Sequence, residues 1–295
     1  MKYLIRHETR YSYADSVSLS HNEAYLTPRS FPGQTLEDFH LAISPAPSQQ
    51  NQRIDYFGNP FTTFLIEEAH AQMVVSAQSR LVVTRCAPES RSFSEPWENV
   101  AQALKNPRTP DERAAAEFAF PSPFSTSDDA IREYAIASFS PGTPIFEGVQ
   151  HLMQRLHRDF QYDKGVTSVF TSVQEVFRLR KGVCQDFAHL FIAMVRSLGL
   201  ASRYISGYIE TLPPAGKTKL VGSDASHAWI GVFCPPLGWV ELDPTNDVLV
   251  GNRHITRAWG RDYGDVTPVK GIVLGGGRHT VHVAVDVKPS NESGN

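Results

Sequence analysis

Apolar residues in the first part of the chain recur at alternate positions and in short runs. Tyr3 to Tyr13 alternates loosely, and Leu36 to Ile43, Phe61 to Glu67 and Met73 to Thr84 read as further strands. Thr27-Pro28-Arg29, Phe31-Pro32-Gly33 and Tyr56-Phe57-Gly58-Asn59-Pro60 separate them as turns. Short strands between regular turns predict a small β-sandwich over residues 1–85. Residues 86–125 carry Pro88, Pro96, Pro107, Pro110, Pro121 and Pro123 and read as a connecting segment with a short helix at Asp111 to Glu117. The period then becomes helical. Ser127-Asp128-Asp129-Ala130 opens one helix, Ile145 to Phe160 carries a second, and Ser172 to Leu179 a shorter third. A fourth has Phe187, Leu190, Phe191, Met194, Val195 and Leu198 at helical spacing and Gly199 as its stop. Ala201 to Ile209, His227 to Phe233 and Trp239 to Asp243 are predicted strands. Pro213 to Lys217 forms a loop, and Cys234-Pro235-Pro236-Leu237-Gly238 a turn. These elements make residues 126–289 the main domain and 290–295 a frayed tail.

The fourth helix begins at a cysteine. Cys184 therefore sits where unpaired backbone N–H groups and the positive end of the helix dipole favour a thiolate, the nucleophilic form. Downstream stand Ser226-His227-Ala228-Trp229 and Glu241-Leu242-Asp243-Pro244-Thr245-Asn246. Pro235 is the midpoint between His227 and Asp243. A hairpin symmetric about it sets the imidazole opposite the carboxylate, on one face of the sheet. A carboxylate on one ring nitrogen fixes the tautomer and leaves the other nitrogen for the thiol. In that register Trp229, Phe233, Trp239 and Glu241 share the same face. His189 falls on another side of the cysteine helix and reads as structural, and Asp186 as a partner of the helix dipole. Cys86 and Cys234 have no comparable setting.

With 295 residues and 41% hydrophobic content, the chain has room for two modest domains or one large one. The net charge of −3 gives no basic footprint for nucleic acid or an anionic membrane. No apolar run approaches the ~18 residues of a membrane span. Met1 to Glu8 turns polar too early for a signal peptide. Three scattered cysteines suit a reducing compartment, so a cytoplasmic location is expected. Despite eleven histidines, no Cys-x-x-Cys, His-x-x-x-His or His-Glu-x-x-His spacing occurs, and no calcium loop. Gly275-Gly276-Gly277-Arg278 lacks the residues of a phosphate loop and reads as a turn. No metal or cofactor is expected.

Gly182-Val183-Cys184-Gln185-Asp186-Phe187-Ala188-His189, Ser226-His227-Ala228-Trp229 and Asp243-Pro244-Thr245-Asn246 together resemble the bacterial transglutaminase-like family. Phe160-Gln161-Tyr162-Asp163 and Gly207-Tyr208 match its habit, and residues 1–85 resemble the N-terminal domain that often precedes its core. The resemblance implies an α+β, papain-like transglutaminase core. In such a core Cys184 is nucleophile, His227 base and Asp243 orienter. The implied reaction is acyl transfer at an amide of a peptide or protein substrate through a thioester. Backbone N–H groups at the start of the cysteine helix are expected oxyanion donors, with Gln185 and Tyr162 as side-chain candidates. Water as acceptor makes a peptidase or amidase, the expected outcome. An amine makes a transglutaminase, and a fold kept without turnover makes a peptide-binding module.

Overall fold

In the computed structural model, which describes residues 1–89, 93–210 and 226–290, the initial alternation becomes one long strand, β1 (Lys2–Ala24). It is followed by β2 (Gln34–Ser44), β3 (Gln49–Ile54), β4 (Pro60–Ile66) and β5 (His70–Val83). All five join one sheet in the order β2-β5-β1-β4-β3. The pairing of β1 with β5 shifts register between Ser12 and Val17, so β1 serves twice. Its first half runs beside β5 and its second beside β4. Phe64 and Ile66 from one half share an apolar cluster with Met73, Val75 and Ala77 from the other, the interior of the expected sandwich. β3 is exposed throughout and polar except for its last residue, Ile54, so it carries no alternation for a sequence reading to detect.

Among the described residues, the chain after β5 has six α-helices: α1 (Trp97–Lys105) and α2 (Pro110–Ala116) in the 86–125 segment, then α3 (Asp129–Ile136), α4 (Ile145–Asp159), α5 (Val173–Leu179) and α6 (Cys184–Ser197). Two short parallel strands, β6 (Gln161–Tyr162) and β7 (Lys181–Gly182), pair ahead of α6. Then come β8 (Ser202–Ile209), β9 (Ser226–Phe233), β10 (Trp239–Asp243), β11 (Val248–Leu249) and β12 (His254–Gly260). These form an antiparallel sheet in the order β11-β10-β9-β8-β12, and α6 packs on β9 and β8. The predicted starts of α3 and α5 hold: Asp128 accepts from Ile131 N–H, and Ser172 from Glu175 N–H. Gly199 follows α6 with φ +78°, a conformation natural to glycine. The Pro213–Lys217 loop and residues 291–295 of the predicted tail lie outside the described residues.

Two boundaries differ from the sequence reading. The last strands, β13 (Val269–Gly275) and β14 (His279–Pro289), do not stay with the 126–289 domain. They line β1 along Val17–Ala24 and Tyr3–Tyr13 and complete the first sheet. Sequence distance hides such a return, while the unpaired N–H and C=O groups along the other edge of β1 require it. Residues 86–125 also do more than connect. Val100 and Leu104 of α1 enter the main core. Ser122, Ser125 and the Phe118 carbonyl bind Arg196, a buried polar residue of α6. From Asp186 to Arg196 every residue of α6 is buried, so the helix that reads as amphipathic is enclosed on all sides.

The two sheets face each other. Tyr3, Ile5, Leu81 and Val83 meet Tyr208 and Ile255. Beside this apolar contact Gln34 exchanges two hydrogen bonds with the Thr256 backbone. Arg85 reaches across to Glu241 at 2.7 Å, and both side chains are largely buried.

Candidate active site

Cys184 is the first residue of α6 and is partly exposed. Val183 caps the helix without a side-chain acceptor, and Asp186 in the first turn takes over, accepting from Val183 N–H at 2.8 Å and from the Thr167 hydroxyl at 2.6 Å. Burial raises the Asp186 pKa, against the lowering effect of these two bonds. Gly182 permits the arrangement, because a Cβ there would lie 2.8 Å from Asp186.

His227, the second residue of β9, and Asp243, the last of β10, meet as predicted but in a different register. Trp239 pairs with Phe233 and Leu242 with Ile230. One further step along this ladder sets Asp243 opposite Trp229, not opposite His227. The turn is therefore not symmetric about Pro235. The offset is two residues, which preserves the face of every side chain. His227 and Asp243 become diagonal neighbours, within reach of long side chains, and His227 Nε2 lies 2.7 Å from Asp243 Oδ2.

Burial disfavours the imidazolium of His227, but hydrogen bonds and charge interactions with Asp243 and Cys184 outweigh it and raise its pKa to about 10. Burial likewise disfavours the carboxylate of Asp243, and its bonds with His227, His254 and Asn246 override this and hold its pKa well below the usual range. The structure thus gathers Cys184, His227 and Asp243, with the Asp on Nε2 and Nδ1 left for the sulfur.

Of the side-chain oxyanion candidates, Tyr162 lies beside the cysteine. Burial, then Cys184 and Asp186, raise its pKa, which keeps the phenol protonated as a donor. Its ring stands edge-on to Phe187. Gln185 follows Cys184 in α6 and is partly exposed. His189 is apart from this chemistry. It stacks between Phe124 and Tyr204, accepts from Tyr263 N–H, and burial lowers its pKa to about 3. Trp229 is fully buried and donates to Glu241 at 3.0 Å, so it supports the sheet rather than walling a cleft. Burial pushes the Cys234 thiol far up.

Two residues escaped the sequence reading as parts of the site. Asn246 Nδ2 donates to Asp243 Oδ2 at 2.6 Å, and His254 Nε2 lies 3.1 Å from the same oxygen. Asn246 stood in a recognised motif without a role. His254 opens a strand at the far edge of the sheet, and nothing in its neighbourhood along the chain marks it. The atoms of His227, Asp243 and His254 lie within 4.8 Å of one another. Their chemistry is that of two imidazole N–H groups on one carboxylate oxygen, and a zinc-like cation would displace the proton that joins His227 to Asp243.

Comparison with known proteins bears on the family and the fold. The bacterial transglutaminase-like N-terminal region matches residues 3–82, and the transglutaminase-like superfamily core matches residues 133–244. An uncharacterised protein of Mycobacterium tuberculosis is 39% identical over 296 residues, 98% of this chain and 93% of that protein. A protein-glutamine gamma-glutamyltransferase of Pseudomonas aeruginosa is 34% identical over 104 residues, 34% of this chain and 16% of that protein. The solved structure of a suspected cysteine protease from Cytophaga hutchinsonii shares the fold, with a TM-score of 0.73 at 20% identity, covering 99% of this chain and 92% of that one. The α+β chain, with its papain-like core and its own N-terminal region, belongs to the bacterial transglutaminase-like family.

Proposed function

We propose that the protein is a cysteine enzyme that transfers acyl groups from peptide or amide carbonyls, with Cys184 as nucleophile, His227 as acid and base and Asp243 as orienter. The observation that carries this reading is the buried 2.7 Å contact of His227 Nε2 with Asp243 Oδ2, beside a cysteine at a helix start. An imidazolium held by Asp243 supports a thiolate at Cys184. The sulfur attacks the carbonyl carbon, and the oxyanion is received by N–H groups at the head of α6, with the Tyr162 hydroxyl or the Gln185 amide as further donor. Collapse breaks the C–N bond, and the amine leaves with the proton of His227. The resulting thioester is attacked by water, whose proton passes to His227; the C–S bond breaks, the acid is released, and the Cys184 thiolate with the His227 imidazolium is restored. Water at ~55 M outcompetes an amine unless a site concentrates the amine, so hydrolysis is the main outcome proposed. Transfer to an amine is the second reading, favoured by the stretch shared with the Pseudomonas glutamyltransferase. Three unpaired thiols fit a reducing, cytoplasmic setting.

The test has two arms. Iodoacetamide near neutral pH should label Cys184 well ahead of exposed Cys86 and buried Cys234, and equal labelling of Cys184 and Cys86 in the folded protein refutes the activated thiol. Mass spectrometry of a peptide library, with and without a lysine-like amine, should give hydrolysed products lost in Cys184→Ala. Predominantly aminated products at low millimolar amine would replace hydrolysis by transfer, and near-normal turnover in Cys184→Ala refutes the mechanism.

A further inference from the structure

Asp243 holds a second histidine for which the proposed reaction has no use. We propose that His254 is a positioning residue: its Nε2–H, on the oxygen that receives His227, locks the carboxylate in the orientation His227 needs and limits how much of its charge His227 receives. The inference rests on the triad reading above.

The geometry is specific. Asp243 Oδ2 takes His227 Nε2 at 2.7 Å, Asn246 Nδ2 at 2.6 Å and His254 Nε2 at 3.1 Å. Oδ1 takes the backbone N–H groups of Thr245 at 3.0 Å and Asn246 at 3.3 Å. A carboxylate offers about four lone-pair sites, so these five contacts leave it no freedom to turn. The donors come from separate elements: β9, the loop after β10, and β12.

The tautomer of His254 follows from its surroundings. Its Nδ1 is buried without a partner. A proton there would be a buried donor lacking an acceptor, so the proton of the neutral ring belongs on Nε2, facing Asp243. The ring stands edge-on to Trp229 at 5.3 Å, and Trp229 is tied to Glu241. At 3% exposure His254 cannot touch substrate, and its effect must pass through Asp243. Among the described residues, titratable groups approach the carboxylate from several elements, with Asp247 next to Asn246 in its own loop. His227 faces it from β9 and His254 from β12, with Cys184 of α6 behind His227. From α4, His157 bonds the Thr245 carbonyl. On the strand of Asp243 itself, Glu241 is held by Arg85 and Arg203. The His254 bond lowers the proton affinity of Asp243, so its loss should let the carboxylate protonate at a higher pH.

The test compares wild type with His254→Phe, which removes the donor, and His254→Gln, which keeps an N–H at similar reach. Cys184 alkylation by iodoacetamide is followed across pH, and the downfield imidazole N–H resonances are recorded. His254→Phe should slow alkylation about tenfold, raise the pH below which labelling fails and move the His227 resonance, while His254→Gln should restore the rate. A folded His254→Phe with the wild-type rate and pH limit overturns the proposal, as does a Gln variant that falls as far as Phe. Should His254→Phe not fold, nitrogen-15 shifts of wild-type His254 decide: protonation at Nε2 alone at pH 7 supports the proposal, and protonation at Nδ1 overturns it. Wild-type Cys184 no more reactive than Cys86 would remove the triad itself, a failure separate from an inert His254.

Discussion

Replacing Arg85 with alanine should cost about 3 kcal/mol, because it removes the nearer of two cations that hold a buried carboxylate between the two sheets. Arg85 Nη1 lies 2.7 Å from Glu241 Oε2, with the side chains 8% and 11% exposed. Arg85 Nη2 donates to Gln34 Oε1 at 3.1 Å and to the Thr256 hydroxyl at 2.5 Å. Removing one partner of a buried ion pair costs about 3–5 kcal/mol when the other is left uncompensated. Here Glu241 keeps Arg203 at 3.4 Å and Trp229 Nε1 at 3.0 Å, and Gln34 Oε1 keeps the Thr256 N–H at 2.9 Å. The expected loss therefore lies at the lower end of that range. The assay is urea unfolding followed by tryptophan fluorescence, comparing midpoints at equal slope. Adding Glu241→Gln to Arg85→Ala should not recover the loss, because buried Arg203 shares the same carboxylate and would then be the charge left without a partner. Alkylation of Cys184 in the folded single variant should fall only a few-fold, as the network reaches the site indirectly, through Trp229 and its ring contacts with His227 and His254. A loss below about 1 kcal/mol, the scale of a surface pair, would refute the reasoning.

Asp243→Asn should slow Cys184 alkylation by about 10² or more and let the His227 pKa fall from about 10 back toward 6.5, and an unchanged histidine titration would contradict the pairing. Buried, neutral His7 and His189 have pKa values lowered from 6.5 to about 3. The unfolded chain then binds more protons below pH 6.5, and stability should drop by about 1.4 kcal/mol per pH unit for each of them as acid is added. His227 has the opposite sign: its raised pKa contributes stability that is complete below 6.5 and lost as pH rises through about 10. Urea midpoints across pH should therefore peak near 6.5, and a flat profile on both sides would count against these shifts. Gly207→Ala should destabilise by about 1–3 kcal/mol and slow labelling of Cys184, because its Cβ would strike the Ile255 carbonyl and the Trp229 ring. Wild-type stability there would show that β8 and β12 can part without cost.

Local pattern carried the main domain well because its elements are short-range objects. The cap at Asp128, the cap at Ser172, the stop at Gly199 and the limits of β10 all depend on residues near them in sequence. Elements fixed by distant partners were not legible. β13 and β14 alternate like ordinary strands, and only the free edge of β1 decides which sheet receives them. α1 is a nine-residue helix inside a proline-rich stretch, and its composition conceals the face that Val100 and Leu104 bury.

The candidate site shows the same division more sharply. The predicted register of the hairpin differs by two residues from that observed, yet His227 and Asp243 still share a face, because a strand repeats every two residues. A shift of one would have sent them to opposite sides. Parity, not the exact partner, is what a sequence must encode to bring an imidazole and a carboxylate together. Distance needs more. A diagonal pair across a twisted sheet has slack, and here the slack is taken up by groups that sequence order cannot associate with Asp243. The Asn246 side chain closes from the loop that follows, and His254 from a strand two places beyond β9 in the sheet. The placement of Cys184 at a helix start and of His227 on the face of Asp243 is readable from local context and parity. The orientation of the carboxylate that serves them is a property of the assembled sheet.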